Sequence, residues 1–365
     1  MDSPLNYELA VLIGRFQPFH NAHAALLAKA LEIAPRVVIV LGSAFSARNS
    51  KNPFSWEERA AMIGCTLTPE QREQVRFLPI RDCYDDARWA ARVIAQVCAQ
   101  QAVKARIALV GYVKDASSLY LNRFPGWDFV GMPQQGEIDA SSLRRIWFEG
   151  EDITVTRALL APFVPPAVLQ YMEGWAALPY FAGLRIEHRA VEESKKTWGS
   201  GPFITVDAVV QASGQILLIR RGRAPGKGLW ALPGGFLDGR ERVLQGAIRE
   251  LREETGFGLL DVTLEESLAG VAVFDHPDRS VRGRTITHAH YFNLGDALPP
   301  EVAGADDAAE ARWLPIADLC SMEREFFEDH FNILDHFLGL IPPDSKSSVT
   351  RSPARLRATN DRLME

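Results

Sequence analysis

The sequence predicts an α/β domain built on a doubly wound parallel sheet, followed by a second domain of the α+β sandwich class. Three observations predict it. Apolar strand-like runs alternate with helix-period segments as far as about residue 175, and the pattern turns β-rich after residue 202. A chain of 365 residues also exceeds what one hydrophobic core usually fills. The boundaries implied are 1–178 for the first domain, 179–202 for a linker, 203–341 for the second domain and 342–365 for a disordered tail.

Taken in order, Leu9-Ala10-Val11-Leu12-Ile13 reads as a buried strand. It leads into the polar loop Gly14-Arg15-Phe16-Gln17-Pro18-Phe19-His20-Asn21-Ala22-His23, and a helix is expected from Ala24 to Ala34. Arg36 to Gly42 is a second strand, Ser55 with Glu57 and Glu58 starts a helix through Met62 and Ile63, and Val75 to Ile80 is a third strand. Ala87 to Gln101 reads as a helix and Arg106 to Gly111 as a fourth strand. Ser141 opens another helix, and Pro165 to Trp175 forms a further one. Pro179, Gly183, the charged run Glu192 to Lys196 and Gly199-Ser200-Gly201-Pro202 then break the pattern, as a domain connection with an edge strand at Leu184 to His188 would. Beyond it, Phe203–Ala212, Gly214–Arg220, Trp230–Leu237, Ser267–Phe274 and Thr285–Leu294 are expected as antiparallel strands. Helices are expected at Glu241–Thr255 and Met322–Leu338, and from Pro342 no apolar period survives.

A net charge of −6 argues against a broad nucleic-acid-binding face and leaves room for a local phosphate pocket. No apolar run approaches membrane-spanning length and no secretory leader is evident, so a cytoplasmic protein without a membrane partner is expected. Cys65, Cys83, Cys98 and Cys320 form no C-x-x-C pair and read as reduced core thiols. Oligomeric state stays open, a homo-oligomer included.

His20 and His23 stand one turn apart at a helix start, where free backbone N–H groups and the helix dipole favour an anion. Two imidazoles there can stabilise charge on phosphate oxygens during transfer. The whole stretch Gly14 to His23 resembles the H-x-G-H signature of the nucleotidyltransferase superfamily, in the GRFQPFHxxH form of archaeal-type nicotinamide mononucleotide adenylyltransferases. Ala22 stands where that signature has glycine, which brings a methyl group towards the nucleotide position. Asn52-Pro53-Phe54-Ser55-Trp56-Glu57-Glu58-Arg59, Tyr84 to Trp89, Gly111 to Ser118 with Phe124-Pro125-Gly126-Trp127, and Ser141-x-x-Arg144 resemble further segments of the family, in order. The resemblance implies a Rossmann-like nucleotidyltransferase domain that joins ATP and nicotinamide mononucleotide into NAD and pyrophosphate, with Mg²⁺ arriving on ATP. It places His20 and His23 on the phosphates, Ser141 and Arg144 on the β/γ side, and Arg15 and Lys114 as supporting cations. It also places Trp56 and Trp89 near the pyridine ring, and Gly14, Phe16, Asn52, Arg59 and Asp115 around the nucleotides. Read without it, Trp56 and Trp89 are equally core aromatics, Lys114-Asp115 a surface pair and Ser141 a helix cap.

In the second domain, Glu250, Glu253 and Glu254 at i, i+3 and i+4 put three carboxylates on one helix face, a set suited to a hard divalent cation. Gly235-x5-Glu241-x7-Arg249-Glu250-Leu251-x-Glu253-Glu254-x-Gly256 is similar to the Nudix box at every defined position. That resemblance implies metal binding (Mg²⁺ or Mn²⁺) at Glu250, Glu253 and Glu254, with Arg249 orienting them, and hydrolysis of a nucleoside diphosphate derivative. Trp230 to Phe236 and Phe274 to His288 are similar to the Nudix half of bifunctional adenylyltransferase/Nudix proteins, which implies ADP-ribose as substrate. Arg279, Arg282 and Arg284 either bind its phosphates or form a solvated loop, and Glu310 is either a base or an exposed acid. NADH or another dinucleotide as substrate, and a non-catalytic ADP-ribose-sensing regulator, are the alternatives.

Overall fold

The computed structural model describes residues 7–99, 105–112, 123–133 and 139–342. Two compact units emerge, with their boundary between Arg185 and Ile186. Lys114, Asp115 and the tail from residue 343 lie outside the described residues.

The first unit is a parallel sheet of order β3-β2-β1-β4-β5, from β1 (Leu9–Gly14), β2 (Val37–Leu41), β3 (Val75–Pro79), β4 (Ile107–Tyr112) and β5 (Asp128–Met132). Every pairing is parallel, with Ala10 opposite Val37 and Ala108. Apolar residues on both faces of each inner strand explain the layers: Leu12, Ile39 and Val110 pack one side, Val11, Val40 and Leu109 the other. Helices α1 (Asn21–Ile33), α2 (Trp56–Gly64), α3 (Pro69–Gln74), α4 (Asp86–Cys98), α5 (Ala140–Glu149), α6 (Ile153–Leu160) and α7 (Pro166–Ala176) complete the layers. The strand order reverses between β1 and β4, so the carboxyl ends of those strands form the crevice where such sheets bind ligands.

Arg59 holds that end of the sheet in shape. Its guanidinium is fully buried and donates to the carbonyls of Arg15 (2.7 Å), Gly42 (2.7 Å) and Ser43 (3.3 Å), while Nε reaches Ser55 O at 3.3 Å. Burial pushes it down to about 10, with Asp82 opposing. Arg59, which the resemblance places around the nucleotides, has its donors committed to the loops after β1 and β2. Helix α2 turns it inward under the loops.

In place of the linker and edge strand expected over 179–202 stands α8 (Pro179–Trp198), with Leu184, His188 and Val191 buried at helical spacing and Glu192 paired with Lys195. The second unit has a sheet of order β10-β11-β6-β7-β12, from β6 (Phe203–Ala212), β7 (Gln215–Arg221), β10 (Leu268–Phe274), β11 (Thr285–Asn293) and β12 (Ala308–Pro315). It is mixed rather than antiparallel throughout, because β11 runs parallel to β6. The strand expected over Trp230–Leu237 divides into β8 (Trp230–Ala231) on β7 and β9 (Gly234–Phe236) on β6. Pro233, without an N–H, sits at the break, and Leu232 N–H donates to His330 Nδ1. Helices α9 (Val243–Thr255) and α10 (Asp261–Glu266) precede β10. The helix expected over Met322–Leu338 is a 3₁₀ segment (Ile316–Glu325) and α11 (His330–Leu338). Between them Phe327 N–H bonds Trp230 O, and Asp329 turns to Arg279.

The cysteines are free, but Cys65, Cys98 and Cys320 are exposed and Cys83 half-exposed, against the expectation of core thiols. Cys65 and Cys98 sit at helix carboxyl ends, just beyond the buried Ile63 and Val97. No described helix is long and apolar enough to cross a membrane. Replacing Arg59 by Met should lower the unfolding free energy of the first unit by roughly 2–4 kcal/mol, because charge-assisted bonds to buried carbonyls would be left unmade. Urea unfolding measures this, and a loss under about 0.5 kcal/mol would remove Arg59 from its role as the clamp.

Candidate active sites

The histidine loop is built by the end of β1 and the start of α1. His20 is the N-cap of α1 and His23 lies in its first turn, so the helix begins three residues before the expected Ala24. The two rings stack at 3.7 Å between centroids, with His20 N–H directed at His23 Nδ1 at 3.4 Å. Phe16 meets the His23 ring edge-on at 4.8 Å. Phe16 itself is buried, at φ +53°, and its ring covers Gly14, whose missing side chain leaves room for it at 3.0 Å. Phe16 thus shapes the loop from beneath. Ala22 packs its methyl against the core on the α1 side and accepts the Tyr112 hydroxyl on its carbonyl at 3.0 Å.

Arg144 reaches this loop from α5, donating to Gln17 O at 2.6 Å and to Ser141 Oγ at 3.0 Å. Burial, then repulsion from Arg15, pushes its guanidinium down to about 10. Arg15 is exposed and Arg144 half-buried, so two cations, two imidazoles and the N-terminus of α1 border one region. That is an arrangement for phosphates. Gln17, not singled out from the sequence, pairs its side-chain amide with both backbone groups of Phe54 at 2.8 and 3.0 Å. A buried glutamine inside a phosphate loop is the signal that could have found it. Asn52 belongs to the same joined segment, with its N–H on Asn49 Oδ1 at 2.7 Å.

The aromatic expectations divide. Trp56 packs against the core on one face of the sheet and Trp89 against the core on the other. They do not form one stack. Trp89 instead meets Phe124 at 6.4 Å, and Phe124 stacks on Trp127 at 4.8 Å, which joins two of the family-like segments.

On α9, Arg249 is the hub. It donates to Glu241 (2.7 and 3.0 Å), Glu250 (2.9 Å), Glu253 (2.8 Å) and Phe236 O (3.1 Å), bonds that raise its own affinity for its proton. Glu254 is buried and accepts from Gly234 N–H at 2.8 Å; burial pushes its carboxyl up to about 8, and Glu250, itself raised by burial, adds to this. Gly256, at φ +63°, ends the helix in the left-handed conformation open to glycine. Among the described residues no three acidic, histidine or cysteine side chains converge as a formed metal site. The donor set nonetheless suits a hard dication: the buried Glu254 and half-buried Glu250, whose charge is opposed by burial, are what such an ion relieves, with the exposed Glu253 beside them.

Arg279, expected either on substrate phosphates or in a solvated loop, is buried in a two-point ion pair with Asp329, both bonds at 2.8 Å, and also donates to Thr287. Its charge is thus committed inside the unit, a correction no spacing in the loop sequence reveals. Arg282 stays partly exposed, 3.7 Å from Glu328 and 5.6 Å over the Phe236 ring, and Arg284 is held at Asp275. Glu310 pairs with Arg220 at 3.4 Å and Arg312 at 3.8 Å on an exposed strand face, as an ordinary surface acid does. Asp207 on β6, buried beside Gly234, was not singled out, although an acid amid Val206, Ala208 and Val209 is conspicuous in an apolar strand.

Residues 11–84 match the Cytidylyltransferase-like family and residues 201–337 the NUDIX domain. The nicotinamide/nicotinic acid mononucleotide adenylyltransferase of Acinetobacter baylyi is 33% identical over 52% of this chain and 97% of its own length. The ADP-ribose pyrophosphatase of Methanocaldococcus jannaschii is 35% identical over 38% of this chain and 73% of its own. A bifunctional NMN adenylyltransferase/ADP ribose pyrophosphatase from Francisella tularensis, solved with AMP and a manganese ion, superposes with a TM-score of 0.82 at 32% identity, over 91% of this chain and 99% of that one. With a nucleotidyltransferase loop in one unit and a complete carboxylate helix in the other, this chain belongs to the family of bifunctional NMN adenylyltransferases/ADP-ribose pyrophosphatases.

Proposed function

We propose that the first unit transfers the adenylyl group of ATP to nicotinamide mononucleotide at the histidine loop, and that the second hydrolyses ADP-ribose to AMP and ribose 5-phosphate at α9. The observation that carries the reading is the opposite charge of the two sites: imidazoles and guanidiniums at a helix N-terminus in one, carboxylates on a helix face in the other. In the first reaction the mononucleotide phosphate attacks the α-phosphorus of ATP in line and pyrophosphate leaves. His20 and His23 stabilise the charge on the transferred phosphate, while Arg144, Ser141 and Arg15 hold the leaving pyrophosphate. Gly14 and Asn52 lie along the nucleotides, and Trp89 with Phe124 and Trp127 offers the aromatic surface for the pyridine ring.

In the second reaction Glu250, Glu253 and Glu254 would hold Mg²⁺ or Mn²⁺, which when bound lowers the pKa of water and neutralises phosphate charge. Arg249 keeps Glu250 and Glu253 oriented, and Arg282, partly exposed near Glu328, would meet a phosphate oxygen. The complete carboxylate set favours hydrolysis over ADP-ribose sensing. The exposed free thiols and small nucleotide substrates suit a cytoplasmic enzyme.

Product analysis by chromatography tests the assignments. His23→Ala should slow NAD formation by roughly 10²–10³-fold and leave ADP-ribose hydrolysis intact, the usual cost of one charge-stabilising group. Glu254→Gln should do the reverse; loss of both activities in either folded variant would refute independent sites. Cleavage of NADH with ADP-ribose left intact would overturn the substrate. Ala22→Gly should cost about 0.5–1 kcal/mol of stability and leave the KM for ATP unchanged, because the methyl faces the core. A lower KM would mean that the methyl crowds the nucleotide.

A further inference from the structure

We propose that Asp207 of β6 belongs to the divalent-cation site of the second unit, facing the ion across Gly234 from Glu254. The inference rests on the hydrolase reading of α9 and adds to it a carboxylate from outside the helix.

Three observations carry it. Asp207 is only 5% exposed, and among the described residues no N–H or hydroxyl donates to its carboxylate. A buried acid without a hydrogen bond is costly unless something else meets its charge. The cation acting most strongly on it, Arg279, is bound at two points to Asp329. Neither Arg279 nor Arg282 lies within ion-pair distance of Asp207, although both act on it through space.

The second observation is direction. Asp207 Oδ1 lies so close to the Cα of Gly234 that any side chain there would overlap it, and Gly234 N–H is the group that holds Glu254 Oε2 at 2.8 Å. The register agrees, with Asp207 directly opposite Gly234 in the β6–β9 pairing. One glycine therefore separates the two buried carboxylates. The third observation is charge. Asp207 and Glu254 repel one another through this gap, and among the described residues no proton donor or guanidinium is bound to Asp207. A dication satisfies both acids at once, as oxygen ligands from different elements commonly do. As a strand residue, Asp207 would also fix the ion against the sheet, whereas Glu250 and Glu253 are tied to Arg249 on the helix.

The test is Mn²⁺ binding to the full chain, followed by titration calorimetry and by the electron paramagnetic resonance of free Mn²⁺. Asp207→Asn, which keeps the shape, is expected to weaken Mn²⁺ binding by about 10–100-fold, the range seen when a group supporting a metal site is lost. Its melting temperature in EDTA should equal or exceed that of the wild type, since a buried charge without hydrogen bonds is removed. Wild-type Mn²⁺ affinity in Asp207→Asn overturns the inference, and so does a lowered melting temperature in EDTA, which would make Asp207 a structural acceptor. Glu254→Gln is measured alongside: if it too binds Mn²⁺ like the wild type, the metal reading of α9 itself fails, whereas loss there with retention in Asp207→Asn rejects Asp207 alone.

Discussion

The histidine loop of the first unit depends on a cation buried beneath it. Arg59 gathers the carbonyls that follow β1 and β2 onto one guanidinium, which fixes the backbone of Arg15 and with it the entry into the histidine loop. Gln17 clamps the same loop to Phe54 from another direction, and Arg144 closes it from α5. Three side chains from α5, α2 and the loop itself therefore set where His20 and His23 point. Loop backbones alone rarely hold such positions, because each residue ordered costs about 1–2 kcal/mol of conformational entropy. Buried, charge-assisted bonds to carbonyls offset that cost.

The second unit solves the inverse problem. Helix α9 brings like charges together, and they are held by Arg249, which meets Glu241, Glu250 and Glu253 at once. Glu254 and Asp207 lie beyond its reach, and burial raises both, Asp207 to about 7. The helix thus presents one pair of acids already compensated by an arginine and one acid that is not. On the proposed hydrolase reading, a dication held there would meet the uncompensated acid at lower cost, since no existing pair would have to break.

How much of this is legible in the sequence follows from the kind of signal each feature leaves. The inner strands are runs of Val, Ile and Leu between polar loops, and both family-like motifs name their histidines and glutamates outright. Helix α8 is obscured by Pro179, Gly183 and a dense charge run, although its apolar positions keep the helical spacing. Arg279 and Arg59 mislead for a shared reason: an arginine in a motif is as readily bound to a buried carboxylate or carbonyl as to a phosphate, and only the fold says which partner is nearer. The cysteines mislead because burial changes residue by residue along a helix end.

The glycines of the two loops sharpen the point. Gly14, Gly234 and Gly235 do not adopt positive φ, so no conformational demand explains them. Contact does. A side chain at Gly14 would meet the Phe16 ring at 3.0 Å, one at Gly235 the Glu250 carboxylate at 2.5 Å, and one at Gly234 would overlap both Val206 O and Asp207. In each case the neighbour is a residue that shapes a site or carries its charge. These glycines mark where backbone must approach the working side chains, and at Gly234 the neighbours include an acid that the helix motif does not contain.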